Sequence, residues 1–520
     1  MREKYSLLLP SLFIAGILLG FKVQAGIQDS TLDFVESVPL ADDKGTEYFS
    51  GQADPWTPFF AKLSGFNQVR LWGLSLEGES PYQKNENLPL VPASVQKVVT
   101  TAAALRNLGR DMRFPNYFEG QLDSNGVDLR DPKFTVSADP TWGHEEFESI
   151  RSRLSRVISE LKSKGVKRVI GPIKVLALHP ELAQIPMPSG WPKRWTLQCM
   201  ATQPTAFMFH GNCGSIQVNS LTSAEWTLAG VDVPLFLNLK KSTTNSMAIS
   251  AALDNYGRIQ SYTISGGFAK STSTFFDPLQ NSETSSVPIH LSERWLQNLF
   301  KLILAENGIS YEANASVFAA SPGARCPCAR GAVWVDLSSL SMVEILRVAV
   351  SRSINGVLDR IFYETAFHEN IYHPAEPSLR VLREVVGVES LMKGVEIFDG
   401  SGLVMNNRLR GDLLTKFLGG LESQPYFSDF LSTLAVAGES GTLANRLTGP
   451  LTKGKIFAKT GTIDGIYNLA GYFKTQSQTY EPFAILSDSN LSAAQVRGMI
   501  DKIATQFAIT RARSFDESLR

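Results

Sequence analysis

The sequence predicts an α/β fold of the α+β kind: one domain built from both ends of the chain, with a β-rich insertion between them. Two changes of pattern predict it. From about 116 to 290 the chain breaks into short strands separated by Asp, Asn, Gly, Pro and Ser, with one clear helix at 146–162. On either side, apolar residues recur at helical spacing and alternate with strand-like runs. A chain of 520 residues is also too long for one ordinary core. The expected divisions are a leader at 1–25, a first part of the main domain at 26–115, the insertion at 116–290, and the second part at 291–520.

The leader comes first. Arg2 and Lys4 precede an apolar run from 7 to 21, and Val23-Gln24-Ala25 offers small residues for cleavage. At about 15 residues, with Pro10 inside it, the run is short of the roughly 20 that a spanning helix needs. A cleaved export signal is therefore expected, with a mature protein outside the cytoplasm. Residues 71–76 read as a strand. Residues 94–108 carry Val95, Val98, Val99, Ala102, Ala103 and Leu105 at helical spacing and end at Gly109, the pattern of a buried helix. After the insertion, helices are expected at 291–307, 341–369, 377–386, 410–420 and 493–506.

Composition is that of a globular protein, 43% hydrophobic and 19% charged. Lys plus Arg and Asp plus Glu number 50 each, so net charge makes no case for nucleic acid as a partner. Four cysteines fit an exported protein and allow three pairings. A bridge between Cys199 and Cys213 would close a short loop and add about 3 kcal/mol. Cys326-Pro327-Cys328 reads as either a tight disulfide or two free thiols. A zinc site needs four ligands, and only this pair is close in sequence.

Three short elements carry chemistry. Ser94-Val95-Gln96-Lys97 puts a hydroxyl and an amine three residues apart on one helical face. A serine becomes a nucleophile when a base takes its proton. Lysine is that base only if its pKa falls from about 10.4, which burial and a nearby cation achieve; Lys459 is the expected cation. The surrounding helix is so apolar that burying Lys97 would be costly without a function. Ser353-Ile354-Asn355 lies on or beside the 341–369 helix and alone would be a polar patch. Lys459-Thr460-Gly461-Thr462 follows a strand at 455–458. A lysine on a strand edge can hold a carboxylate, glycine permits close backbone approach, and the N–H beyond it can face an oxyanion. Alone, this element would be a strand entering a turn.

Other motifs fail on spacing. The stretch 449–455 resembles a phosphate loop but continues into Ile456 and precedes a strand. His368 and His373 are five positions apart, not four, and Pro374 follows. No Gly-x-Ser-x-Gly elbow supports a Ser-His-Asp triad. Asp399 and Ser401 are expected to shape a turn beside the site.

In this order the three elements resemble the serine penicillin-recognising signature. The long step from Ser94 to Ser353 is similar to that of the class C low-molecular-mass penicillin-binding proteins, the penicillin-binding protein 4 type of D-Ala-D-Ala carboxypeptidase/endopeptidase. Further matching stretches are Val91-Pro92-Ala93-Ser94, Asp399-Gly400-Ser401-Gly402-Leu403, Gly441-Thr442-Leu443 with Asn445-Arg446, and Tyr467-Asn468-Leu469-Ala470-Gly471-Tyr472. Trp191-Pro192 through Cys199 to Asn212-Cys213 resembles part of that family's insertion.

The resemblance implies a penicillin-recognising domain: an antiparallel sheet with helices on both faces. It implies Ser94 as nucleophile, Lys97 as base, Ser353 and Asn355 as proton relay and amide contact, and Lys459 with Thr460 on the terminal carboxylate. It also implies an oxyanion hole from the N–H groups of Ser94 and Thr462. No metal or cofactor is implied. The substrate would be a peptidoglycan peptide ending in, or crosslinked through, D-Ala, with β-lactams as covalent inhibitors and the periplasm as the compartment. Two departures stand out. His210 sits where relatives can have an acidic residue, and Ile354 where a polar one is common. A β-lactamase or esterase on the same fold, or a non-catalytic wall-binding scaffold, are the alternatives.

Overall fold

Strand pairing defines the architecture of the computed structural model, which describes residues 54–78, 81–188, 190–243, 246–268, 274–275, 286–313 and 331–518. The expected leader and the Cys326/Cys328 turn lie outside the described residues. The central sheet has six strands in the order Ala435–Val436, Ile456–Ile463, Ile466–Lys474, Tyr480–Asp488, Leu71–Leu76, Tyr82–Lys84. All its pairings are antiparallel. Both ends of the chain thus meet in one sheet, where Leu71–Leu76 pairs with Tyr480–Asp488. Asp464 and Gly465, both at positive φ, form the tight turn joining two central strands. An Asp-Gly pair suits a hairpin turn whose twist matches its strands.

Successive residues of a strand face opposite sides, and the central strands bury both. Ala470, Tyr472, Ala484 and Leu486 pack into one core with the helices Lys97–Asn107, Met342–Ser351, Asn355–His368, Glu376–Val386 and Gly411–Leu421. Leu469, Phe473, Phe483 and Ile485 pack into another with Trp56–Lys62 and Ala493–Ser518. Val496, Ile500, Ile503 and Phe507 supply the buried stripe of the C-terminal helix. Helices on both faces are as expected. The C-terminal helix runs twelve residues past the expected 506, to Ser518.

Lys97–Asn107 is buried from Lys97 to Leu105 because it threads the middle of the first core. The expected single helix over 341–369 is two, Met342–Ser351 and Asn355–His368. Ser341 and Glu344 form a capping box that starts the first. A reversal ends it: Ser353 N–H bonds Val350 O (3.1 Å), Ile354 N–H bonds Ala349 O (2.8 Å), and Ser353 takes φ 64°. This is the Schellman closure, with serine in a left-handed position that glycine usually fills.

The inserted sheet orders Ser310–Glu312, Arg168–Ile170, Asp128–Val136, Tyr117–Leu122 and Ala332–Asp336, with Lys174–Ala177 also pairing Asp128–Val136. Helices Ile150–Ser163 and Glu293–Glu306 pack on it through Leu154, Val157, Leu161, Leu296, Phe300 and Leu304. Pairing and packing in this sheet thus involve residues up to Asp336. The 291–307 helix satisfied its periodicity equally well in either domain. Smaller sheets, including Leu235–Lys241, Ser246–Leu253 and Ile259–Phe268, complete the insertion. A disulfide joins Cys199 to Cys213. No helix among the described residues is long and apolar enough to cross a membrane.

Candidate active site

Ser94 lies in a tight turn, Ala93–Gln96, that feeds directly into Lys97–Asn107. Neighbouring strands fix that turn. Asn468, on Ile466–Lys474, donates to Val91 O (3.0 Å) and Pro92 O (2.8 Å), while its own Oδ1 accepts Ser487 N–H (2.9 Å). Gly461 is needed for the approach, since a Cβ there would lie 2.8 Å from Pro92 O. At Gly402, φ 83°, a Cβ would overlap the Ala93 carbonyl. The glycines at these contacts therefore bring the Lys459 strand and the 399–403 loop against the serine turn.

Lys97 is fully buried, and Ser94 half-buried. Lys97 Nζ lies 2.8 Å from Ser94 Oγ, 2.7 Å from Asn355 Oδ1 and 2.6 Å from Ser401 O. Asn355 Nδ2 donates to Met200 O (2.9 Å), so its Oδ1 is the atom facing the lysine. Asn355 Oδ1 and Ser401 O can only accept. A neutral amine has two hydrogens for them and one lone pair, and Ser94 is the neighbour with a proton to give. The geometry thus suits Lys97 to deprotonate Ser94.

Burial pulls Lys97 down to about 8, against the opposing pull of Asp359 and Asp399. The sequence suggested Lys459 as a further cause. Instead the influence is seen in the other direction: burial first, then the Lys97 charge, hold Lys459 well below its ordinary range. Lys459 Nζ donates to Ser353 Oγ (2.8 Å) and Thr460 O (2.9 Å). The left-handed turn at Ser353 directs its hydroxyl to this lysine. Thr460 Oγ1 donates to Thr442 Oγ1 (2.9 Å). Thr462 is exposed at the same strand end, with Arg497 Nη2 3.4 Å from its hydroxyl.

Ser94 with Lys97, Lys97 with Asn355, and Lys459 with Ser353 are thus in direct contact. Four contributors went unnoticed in the sequence: the Ser401 carbonyl, Asn468, Thr442 and Asp359. Asn468 and Thr442 stood inside matching stretches. A backbone carbonyl has no sequence signal, and Asp359 reads as a polar position on a helix.

A cavity of about 690 Å³ adjoins Ser353, Asn355 and Thr442 and reaches Glu146, His144 and His210. Burial holds both histidines below their ordinary range, His210 at about 4. His210 therefore presents a neutral ring near neutral pH, where an acidic residue would have supplied charge. Among the described residues no cluster of three metal-ligating side chains exists. The 449–455 stretch is a turn entering Ile456–Ile463 and opens no helix.

Residues 73–507 match the D-Ala-D-Ala carboxypeptidase 3 (S13) family. The chain is 25% identical over 414 residues to a D-alanyl-D-alanine carboxypeptidase of Actinomadura sp. (strain R39), covering 76% of this chain and 73% of that protein. It is 23% identical over 410 residues to D-alanyl-D-alanine carboxypeptidase DacB of Haemophilus influenzae, covering 74% and 77%. In structure it is similar to penicillin binding protein 4 of Haemophilus influenzae, with a TM-score of 0.62 and 18% identity over 86% of this chain and 98% of that one. The same protein complexed with a β-lactam aligns with a TM-score of 0.59, 17% identity and the same coverage.

Proposed function

Since the chain belongs to the D-Ala-D-Ala carboxypeptidase 3 (S13) family, we propose that it is a serine D-Ala-D-Ala carboxypeptidase and DD-endopeptidase that hydrolyses peptidoglycan peptides through an acyl-enzyme at Ser94. The observation that carries this reading is the buried Lys97 amine, 2.8 Å from Ser94 Oγ, with its other two partners able only to accept.

In the proposed reaction, Ser94 Oγ attacks the carbonyl carbon of the penultimate D-Ala while its proton passes to Lys97. The oxyanion faces the N–H groups of Ser94 and Thr462, and Gly461 keeps that edge open. Collapse breaks the C–N bond. The leaving amine takes, through Ser353, the proton that Lys97 received from Ser94, which returns Lys97 to the free amine; Lys459 holds Ser353 by its hydroxyl. Water, deprotonated by Lys97, then attacks the ester and frees Ser94. Lys459 and Thr460 are the proposed partners of the departing residue's carboxylate. Each step uses groups of this chain alone.

A β-lactam presents a similar carbonyl beside a carboxylate, so penicillins are proposed to acylate Ser94 and to leave slowly. The β-lactam complex of the Haemophilus influenzae protein supports this through shared fold. The basic, apolar, small-residue order of 1–25 supports export to the periplasm. Mass spectrometry of products from purified wall fragments tests the activity. Loss of terminal D-Ala and cleavage of D-Ala crosslinks are expected, both abolished by Ser94→Ala. Intact fragments after prolonged incubation with labelling-competent protein would refute it.

A further inference from the structure

Two carboxylates, Asp359 and Asp399, share the buried space around Lys97, 3% and 5% exposed. Their hydrogen bonding is unequal. Asp399 Oδ1 accepts from Gln96 Nε2 (3.1 Å), Gly402 N (2.8 Å) and Asn407 Nδ2 (2.9 Å), and its Oδ2 from Val404 N (2.8 Å). Asp359 Oδ1 accepts from Gly400 N (2.9 Å) and Ser401 N (2.8 Å), but its Oδ2 is buried with no partner. Two neighbouring carboxylates in a dry interior do not both ionise. Donors on both oxygens favour the charge on Asp399, and a bare oxygen is least costly on a neutral acid.

We propose that Asp359 is a positioning residue held as a neutral carboxylic acid under the 400–401 backbone, so that Lys97 faces one carboxylate rather than two and gives up its proton more readily. The inference rests on the reading of Lys97 as the base. Through Gly400 and Ser401, Asp359 also fixes the Ser401 carbonyl that receives Lys97. Tyr363, on the same helix, also feels the Asp359 charge, and Lys459 lies one step further, acted on by Lys97. Burial, then repulsion from Asp399, pushes Asp359 up to about 8, with the Lys97 charge and the hydrogen bonds of Ser401 opposing. Ionising Asp359 would raise the basicity of Lys97, and the nucleophile would lose its base.

Difference infrared spectroscopy on the unliganded mature protein tests this, because a carboxylic acid has a carbonyl band that a carboxylate lacks. At neutral pH the wild type should show a buried acid band that Asp359→Asn removes. Asn keeps an oxygen for the Gly400 and Ser401 N–H groups. The rise of acylation with pH should keep its midpoint to within about half a unit in Asp359→Asn, because the variant exchanges one neutral group for another. A wild type without an acid band, a band that survives Asp359→Asn, or a pH profile that shifts down by about a unit or more in the variant, the sign of a removed charge, would overturn the proposal. If the variant does not fold, carbon-13 labelling of aspartate in the wild type decides alone: an absent aspartic acid band refutes it, and a present one that titrates near pH 8 sustains it. The infrared result is independent of whether Ser94 acylates, so the two readings fail separately.

Discussion

The pH dependence of acylation should report the buried lysine directly. An ordinary lysine titrates at about 10.4, so at pH 7 only about one molecule in 2,500 carries a free amine. With Lys97 at about 8, the free fraction is about one in ten at pH 7, one half at pH 8 and nine in ten at pH 9. Single-turnover acylation by a chromogenic β-lactam should therefore rise about fivefold from pH 7 to 8 and less than twofold from 8 to 9. Lys97→Arg keeps the charge but does not deprotonate, so its acylation should fall at least about 100-fold with folding intact by circular dichroism. A rate independent of pH between 6 and 9, or a Lys97→Arg rate close to wild type, would refute Lys97 as the base.

Three further outcomes are expected. Lys459→Gln should slow cleavage of a peptide with a free D-Ala terminus by about 10- to 100-fold, from about 1.5–3 kcal/mol for a charge-assisted hydrogen bond. It should slow the amidated peptide much less, and equal losses would exclude carboxylate recognition. Asn468→Ala removes the bonds to Val91 O and Pro92 O and should cost about 1–3 kcal/mol in urea unfolding together with acylation rate. Unchanged values for both would show that Asn468 does not fix the serine turn. His290 Nδ1 accepts Ile259 N–H (3.0 Å), and burial lowers it to about 4. The unfolded state thus binds the proton first, so the stability this contact gives is present above about pH 6.5 and lost as pH falls toward 4. Thermal unfolding of His290→Asn, which offers an acceptor that does not titrate, should decline less steeply over that range; parallel curves would remove His290 as a cause.

Side-chain chemistry repeated at fixed spacing was legible in the sequence, and backbone-borne chemistry was not. Ser94 and Lys97 announce themselves because a lysine in an all-apolar helix needs a reason to be there. Ser353 and Asn355 were found by order along the chain. The contact of Ser353 with Lys459 depends on the helix break at its left-handed φ, and nothing in the 341–369 periodicity marks it. The carbonyl of Ser401 is common to every residue type. The strand Tyr117–Leu122 starts close to the change of pattern at about 116. Ser310–Glu312 and Ala332–Asp336, beyond 290, join the same sheet as short strands whose partners lie far back in the chain. Pairing between distant strands has no local signature.

The most direct measurement is intact-mass analysis after exposure to a penicillin, followed by peptide mapping of the adduct. One covalent adduct should form per chain, on Ser94, and none on Ser94→Ala. An adduct on any other residue, or an unmodified wild type that is correctly folded, would contradict Ser94 as the nucleophile.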